Sequence, residues 1–381
     1  MEKILYIPHY PGYKLIKNRS FIIASQLSKY AQVYFVQWHI PNRRNLDAKF
    51  ITQLKNFKSS LREEGDLNII NIPLLFWPGK SLSKYAFNEW MINSIIKKLD
   101  IDTVINAGMN LVRFPNIKSA IRIYDIVDDH LDMNQNLNID TRRLKYLSED
   151  IKCADLITAI TEQVQNKVRE RYGIEAVLAP NGIDLTKQEL MQIPQRDKNK
   201  SSKIFGFIGN IHEKWVNMNL ALDAFREHLI EFPNDIFRII GDGDKEYIKA
   251  LSKEYNNANI EFLGPISQSE IYDYFADIDI GVIPFHINSF TENSLPIKAI
   301  EHGCFDTPVV STPINALRKL SYVHFGTTRM HWKQLYKKLR NENIHIQKDE
   351  LEPYIWEDIV NKLYNDCLCN LSDKITANVS V

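Results

Sequence analysis

The sequence predicts an α/β protein built from two doubly wound, Rossmann-like domains. Short apolar runs alternate with helical patterns along the chain, a polar segment over 192–203 interrupts the alternation, and the same alternation then resumes. Strands separated by helices of this length are typical of βαβ units in a parallel sheet. A length of 381 residues also suits two domains better than one compact core.

The first alternation starts at the N-terminus. Stretches rich in Ile, Leu, Val and Tyr predict strands, and the stretch over 18–31 has the apolar spacing of a helix. The predicted strands cover 3–9, 32–38, 66–76, 102–108, 120–129, 154–161 and 175–182. We therefore assign residues 1–195 to an N-terminal Rossmann-like domain.

The second alternation follows the polar linker and predicts a second domain over 196–350. Its predicted strands cover 204–209, 237–243, 259–264, 278–285 and 307–311, and its helices lie near 217–231, 245–255, 268–276 and 295–303. An amphipathic helix over 354–371 belongs to a C-terminal segment, 351–381, that we expect to pack back over the joint. Open α/β sheets bind ligands at the carboxyl ends of their strands, so we expect the two domains to face a ligand-binding cleft.

Composition excludes several classes of protein. The 47 Lys and Arg residues balance the 47 Asp and Glu residues, so we expect no nucleic-acid partner. The four cysteines lack the spacing of a zinc site or a disulfide framework. The N-terminus lacks the pattern of a signal peptide, and no apolar run approaches about 18 residues. These features predict a cytoplasmic protein.

The stretch "YDIVDDH" over 124–130 ends an apolar strand with a cluster of acids. Asp128, Asp129 and His130 follow the strand directly, at the predicted carboxyl edge of the first sheet. An acid that faces a ligand site from this edge is well placed to act as a general base. A solvated, turn-forming loop is the alternative.

The stretch "TENSLPIKAIEHG" over 291–303 places several polar groups at the start of a helix. The free N–H groups and the dipole of a helix N-terminus favour a phosphate, and Lys298 adds a positive charge one turn in. Glu301 lies on the same face and could accept hydrogen bonds from ribose hydroxyls. A Lys–Glu surface pair is the alternative. The polar residues in front of the pair favour a nucleotide-sugar site.

These motifs occur in an order that resembles the GT-B glycosyltransferases that build bacterial capsular polysaccharides and exopolysaccharides. The resemblance covers nearly the whole chain. Its most diagnostic part is "NSLPIKAIEHGCFDTPVV", which is similar to the Pro-x-Lys-x-x-Glu helix and Pro-Val-Val strand of these enzymes. The segments "ADLITAITEQVQNKV", "VLAPNGIDL", "GFIGNIHEKWVNMNLAL" and "FADIDIGVIPF" also resemble their counterparts.

The resemblance implies roles for individual residues. Lys298 would contact the donor diphosphate, Glu301 the ribose, and Ser294 and Leu295 the phosphate through their amides. The remaining donor-side candidates are Gly209, Asn210, Lys214, Glu292 and Asn293; the acceptor-side candidates are His9, Gly12 and Arg19.

Two departures leave the stereochemistry of transfer open. Retaining relatives have paired glutamates eight positions apart, but position 293 is Asn, with Glu292 beside it. The chain also carries Asp128 and Asp129 where many retaining relatives have a histidine. Inverting enzymes such as the glucuronosyltransferase of xanthan synthesis resemble the chain in this respect.

Asp277 and Asp279 form an Asp-x-Asp pair, which binds a divalent metal in other glycosyltransferases. Here the pair lies where a predicted helix meets a strand, and a turn role accounts for it. We therefore expect no metal site, and no cofactor besides the nucleotide-sugar substrate.

The resemblance implies a hexosyl- or uronosyltransferase that passes a sugar from a nucleotide-diphosphate donor, UDP-linked in our prediction, to a saccharide acceptor. Aromatic residues and lysines over 8–14 and 74–98 suggest peripheral contact with an anionic membrane and a lipid-linked acceptor. Two alternatives stay open. A sugar-nucleotide epimerase can share this fold, and so can a catalytically silent saccharide-binding subunit.

Overall fold

A computed structural model describes residues 2–9, 18–39, 61–74, 82–107, 111–131, 141–193, 200–267, 269–369 and 371. The chain forms two compact units: Met1–Asp184 with Trp356–Val381, and Leu185–Ile355. The sequence analysis placed the domain boundaries after residues 195 and 350. In the structure the short helix Lys187–Gln192 already belongs to the second unit, and the C-terminal helix belongs to the first.

The first unit contains an eight-stranded sheet in the order β3-β4-β2-β1-β5-β6-β7-β8. The strands are β1 Lys3–Ile7, β2 Gln32–His39, β3 Leu61–Glu64, β4 Leu67–Pro73, β5 Thr103–Asn106, β6 Ile121–Ile126, β7 Leu156–Ala159 and β8 Val177–Leu178. Each strand predicted in this half overlaps one of them. The unpredicted strand β3 pairs antiparallel with β4 at the sheet edge. Its sequence, LREE, is polar, so no apolar run reveals it; charged residues on an edge strand also discourage pairing with another chain.

Helices flank this sheet. They are α1 Arg19–Leu27, α2 Leu82–Leu99, α3 Thr141–Cys153, α4 Glu162–Tyr172 and α11 Trp356–Lys362, and α11 continues into a π-helical turn, Leu363–Cys369. Helix α1 begins where the Asn18 side chain accepts a hydrogen bond from the Phe21 amide. Helix α11 packs against α1, and the rings of Tyr30 and Tyr364 stack 4.9 Å apart. These contacts keep the C-terminal segment on the first unit.

The second unit contains a six-stranded, fully parallel sheet in the order β11-β10-β9-β12-β13-β14. Its strands are β9 Ile204–Ile208, β10 Ile236–Ile240, β11 Ile260–Gly264, β12 Ile280–Ile283, β13 Val309–Ser311 and β14 Val323–Phe325. Its helices are α5 Lys187–Gln192, α6 Met218–His228, α7 Lys245–Glu254, α8 Ile271–Asp277, α9 Ile297–Cys304 and α10 Arg329–Asn341. The sequence analysis did not predict β14 or α10. Two Rossmann-like units confirm the predicted fold class.

Within the described ranges, no helix combines the length and the apolar character that crossing a bilayer requires.

Candidate functional site

One candidate site lies at the carboxyl edge of the first sheet. Strands β1, β5 and β6 are parallel neighbours, so the residues that follow them meet at one edge. His9 follows β1, Asp128 follows β6, and Arg19 opens α1, which begins at the same edge. The structure therefore brings together candidates from the acceptor side and from the predicted catalytic cluster. Gly12 lies outside the described residues.

Arg19 is buried in an ion pair with Asp125, a residue that the sequence analysis did not select. The guanidinium donates from Nη2 to Asp125 Oδ1 at 2.8 Å and from Nε to Oδ2 at 3.1 Å. Hydroxyls of Thr158, at 2.6 Å, and Tyr6, at 3.3 Å, complete the contacts of this carboxylate. Burial alone would raise the pKa of Asp125, but the Arg19 charge and hydrogen bonds from Arg19 and Thr158 hold it below its usual value. Arg19 therefore forms this ion pair within the first unit. The sequence feature that could have revealed its partner is Asp125, an acid in the middle of an otherwise apolar strand.

Asp128 differs in its surroundings. Its side chain is half-buried, and burial raises the pKa of its carboxyl to about 7; the Arg19 charge opposes this rise and the Asp129 charge adds to it. Burial lowers the pKa of His130 to about 4, and the neighbouring His9 contributes in the same direction. His130 is therefore neutral at pH 7, whereas Asp128 is divided between its two protonation states. A carboxyl with a pKa near the working pH is suited to general-base catalysis.

Asp129 and His9 are held by contacts within the unit. Asp129 is buried, and its Oδ2 forms an ion pair with Nζ of Lys167 on α4. His9 Nδ1 lies 2.8 Å from Ser20 Oγ, and burial lowers the pKa of His9. Of the three predicted catalytic residues, Asp128 has the protonation behaviour that a base requires.

A separate candidate site lies at the carboxyl edge of the second sheet. Gly209 and Asn210 follow β9, and Asn210 is exposed. Gly241 has a φ of +143°, and a Cβ there would lie 1.8 Å from the Gly209 carbonyl oxygen, so only glycine allows the two turns this close approach. Lys214 is exposed on the same loop, where its amide donates to His212 Nδ1 at 3.3 Å.

The loop before α9 uses several of its polar groups internally. The Ser294 amide donates to the Thr291 carbonyl at 3.3 Å, which occupies the N–H that the sequence analysis assigned to phosphate. Asn293 is buried and donates to the Ser289 carbonyl at 3.0 Å. Leu295 is also buried, and the half-buried Glu292 donates its amide to the Asn288 carbonyl at 3.0 Å.

Helix α9 begins at Ile297, two residues later than predicted, because Pro296 occupies the N-cap position with a φ of −65°. The prediction of a helix over 295–303 is corrected here. The backbone N–H groups of a first helical turn lack partners within the helix, and here they belong to Ile297 and Lys298. The amides at the start of the helix are therefore those at 297–298, and the Ser294 amide is already bonded to the Thr291 carbonyl.

Lys298 and Glu301 form an ion pair of 2.7 Å on α9, and their side chains are 26% and 13% exposed. The Lys298 ammonium also lies 5.3 Å from the centroid of the Phe275 ring. Burial raises the pKa of Glu301, and the Lys298 charge opposes this rise. The low exposure argues against an ordinary surface pair, which leaves both side chains in water.

Asp277 and Asp279 lie at the opposite, amino edge of this sheet, just before β12. Asp277 accepts a hydrogen bond from Arg238 Nη1 at 2.8 Å, and Asp279 accepts one from the Ile204 amide at 2.9 Å. The pair therefore joins strands β9, β10 and β12 at their starts. In the described part of the chain, His, Cys, Asp and Glu side chains form no cluster of three or more that could hold a metal.

Part of the second unit is similar to a known protein family. Residues 202–326 match the family described as "Glycosyl transferases group 1". TuaH of Bacillus subtilis (strain 168), a proposed teichuronic acid biosynthesis glycosyltransferase, is 25% identical in an alignment that covers 54% of this chain and 55% of TuaH. The alignment thus spans about half the length of that relative.

Solved structures match the whole chain at low identity. Anabaena Alr3699/HepE, in complex with UDP and glucose, has a TM-score of 0.60, 12% identity and full coverage of both chains. WaaG, a glycosyltransferase involved in lipopolysaccharide biosynthesis, has a TM-score of 0.62 and 14% identity over 96% of this chain and 95% of its own. A variant of S. aureus TarM has a TM-score of 0.62 and 12% identity over 98% and 99%. The chain therefore has the GT-B fold, and its residues 202–326 are similar to the group 1 glycosyl transferases.

Proposed function

We propose that the protein transfers a sugar from a nucleotide-diphosphate donor to a saccharide acceptor in the synthesis of a cell-surface polysaccharide. The observation that carries this proposal is Lys298, a poorly exposed cation in the first turn of α9, at the carboxyl edge of a parallel sheet and inside the group 1 domain. A cation and free amides at one helix start are suited to a diphosphate. Glu301, paired with Lys298, is suited to ribose hydroxyls.

The named relatives support UDP as the nucleotide and a saccharide as the acceptor. HepE was solved with UDP and glucose, and the TarM variant with UDP, Fondaparinux and α-GlcNAc-glycerol. TuaH is named for teichuronic acid synthesis. We assign the donor to the second unit and the acceptor to the first, where Asp128 takes the proton from the attacking hydroxyl. As this hydroxyl becomes nucleophilic, Lys298 and the first-turn amides stabilise the charge that develops on the leaving diphosphate. These groups supply the stabilisation without a metal ion.

Purified protein, assayed in EDTA against UDP-, GDP-, CMP- and dTDP-sugars, is expected to release nucleotide only when one donor and a saccharide acceptor are both present. Product mass would show one added sugar. Conversion of the donor without an acceptor would instead identify an epimerase, and absence of nucleotide binding by folded protein would favour a silent saccharide-binding subunit. Transfer that needs added Mg²⁺ would refute the metal-free part of the proposal.

The acceptor is, in our proposal, lipid-linked, and the first unit contacts an anionic membrane through α2. Trp90 on this helix is 61% exposed, and its ring lies 6.0 Å from that of Phe87. Lys97 and Lys98 stand exposed on the last turn. Aromatic residues with nearby lysines are typical of surfaces that bind anionic bilayers.

Replacing Trp90 by Ala is expected to reduce the membrane-bound fraction about tenfold in flotation with anionic vesicles, since loss of this side chain removes more than about 1.4 kcal/mol of apolar transfer free energy. The matched control is Met330→Ala, because Met330 is 68% exposed but lies on the second unit. Equal flotation of both variants, or no flotation of the wild type, would contradict the membrane proposal.

A further inference from the structure

The loop that carries Asp128 is attached to helix α4 at two points. Lys167 forms the ion pair with the buried Asp129, and Arg171 Nη1 donates to the Leu131 carbonyl at 2.7 Å. These two cations are four residues apart, so they project from one face of α4. Within the loop, the His130 amide donates to the Asp128 carbonyl at 2.7 Å. The residues on both sides of His130 are therefore tied to one helix.

Two charged groups act on Asp128, one from α1 and one from its own loop. Arg19 from α1 lowers its pKa, and Asp129 from its own loop raises it. Each of these neighbours has a counterion, Asp125 for Arg19 and Lys167 for Asp129. The imidazole of His9, which follows β1, lowers the pKa of the neighbouring His130.

We propose that Lys167 and Asp129 are positioning residues for sugar transfer, and that their ion pair both holds the loop of Asp128 and sets the pH at which Asp128 becomes ionised. This inference rests on the proposed function, in which Asp128 is the base. It gives Asp129, which was predicted as a catalytic candidate, a positioning role instead, because the buried Asp129 is paired with Lys167 on α4. Arg171 fixes the other end of the same loop.

The two members of the pair affect Asp128 in opposite directions. Loss of the Asp129 charge removes a neighbouring anion, so the ionised form of Asp128 becomes easier to reach and its pKa falls. Loss of Lys167 removes the counterion of Asp129, so the Asp129 charge acts on Asp128 without compensation and the pKa of Asp128 rises. An arrangement that only stabilised the fold would produce no such opposed shifts.

The experiment is a pH titration of the full chain with ¹³C-labelled Asp carboxyl carbons, in which loss of one signal in Asp128→Asn assigns Asp128. We expect Asp129→Asn to move its titration to lower pH by about one pH unit and Lys167→Met to move it to higher pH by a similar amount. Lys167→Arg, which keeps the charge, should restore the wild-type midpoint. The double variant Asp129→Asn/Lys167→Met leaves no unpaired charge and provides a folded form if Lys167→Met is unstable.

Kinetic profiles separate this inference from the proposed function. If the enzyme transfers sugar, the acid limb of kcat/KM should follow the two opposed shifts. If the enzyme transfers sugar but neither variant moves the titration midpoint of Asp128, the inference is overturned and the proposed function stands. Opposed shifts in a protein without transferase activity would support the electrostatic coupling and refute the proposed function, and with it the positioning role.

Discussion

Replacing Asp128 by Asn is expected to lower kcat for sugar transfer by at least about 100-fold, the usual contribution of a general base. The amide keeps the size of the carboxyl but cannot accept the proton of the acceptor hydroxyl. Nucleotide binding should stay within about twofold of the wild type, because Asp128 lies in the first unit and the donor is assigned to the second. Kinetics with saturating donor and calorimetry with the free nucleotide measure the two quantities separately.

The pH profile provides a second readout of this substitution. The pKa of Asp128 is about 7, so the base is protonated and inactive below this pH and ionised above it. We therefore expect kcat/KM of the wild type to rise with pH and to level off above about 7. The residual activity of Asp128→Asn should lack this limb. His130, with a pKa of about 4, stays neutral throughout the range and cannot produce the limb.

The same variant is expected to be more stable than the wild type at pH 8. Because burial raises the pKa of Asp128 from 3.8 to about 7, ionisation destabilises the folded state as the pH rises through this window. The shift of about three units sets an upper limit of about 4 kcal/mol on the gain, which solvent screening reduces. Below pH 3.8 the difference should vanish. Thermal unfolding at several pH values measures it.

An exposed aspartate of the same unit is the matched control. Asp66 lies in the turn between β3 and β4, and Asp66→Asn should leave kcat unchanged. If Asp128→Asn retained full transfer with an unchanged acid limb, another group would have to serve as the base.

Replacing Lys298 by Ala is expected to weaken binding of the nucleotide-diphosphate donor by about 10- to 100-fold. A hydrogen bond to a charged group contributes about 1.5–3 kcal/mol, and 1.4 kcal/mol corresponds to a factor of ten in affinity. The substitution also leaves the low-exposure Glu301 without its cation, which adds negative charge beside the diphosphate. Ligand-observed NMR or calorimetry with the nucleotide and its sugar would measure the loss.

Three further variants test the origin of this effect. Lys298→Arg keeps the charge and should retain most of the affinity, whereas Lys298→Ala/Glu301→Gln removes the uncompensated carboxylate and should recover part of it. Lys249 is an exposed lysine on α7, and Lys249→Ala should bind like the wild type. If folded Lys298→Ala bound the donor with unchanged affinity, the donor site would not lie at α9.

Local sequence was sufficient for the order of the strands along the chain and for the positions where they end. Apolar runs such as "KILYI" and "IFGFI" form strands β1 and β9 because their side chains are buried in a parallel sheet whichever strands pair with them. The motif around Lys298 lies within one turn of helix, so its i,i+3 ion pair with Glu301 could also be read from spacing alone. The polar strand β3 could not be predicted in this way.

The partners of the acids near the first sheet depended on the tertiary structure. Arg19 and Asp125 lie on different elements and meet because β1, β5 and β6 are adjacent; Asp129 meets Lys167 because α4 packs beside the loop. Residue type alone does not distinguish Asp125, Asp128 and Asp129. Burial and the nearest charge then give the first a lowered pKa, the second a raised one and the third a lysine partner. The apolar pattern of the sequence therefore predicted which residues lie at the two sheet edges, since it shows where each strand ends. Only the folded chain decided which of those groups could act as a base, since desolvation and ion pairing arise between residues far apart in sequence.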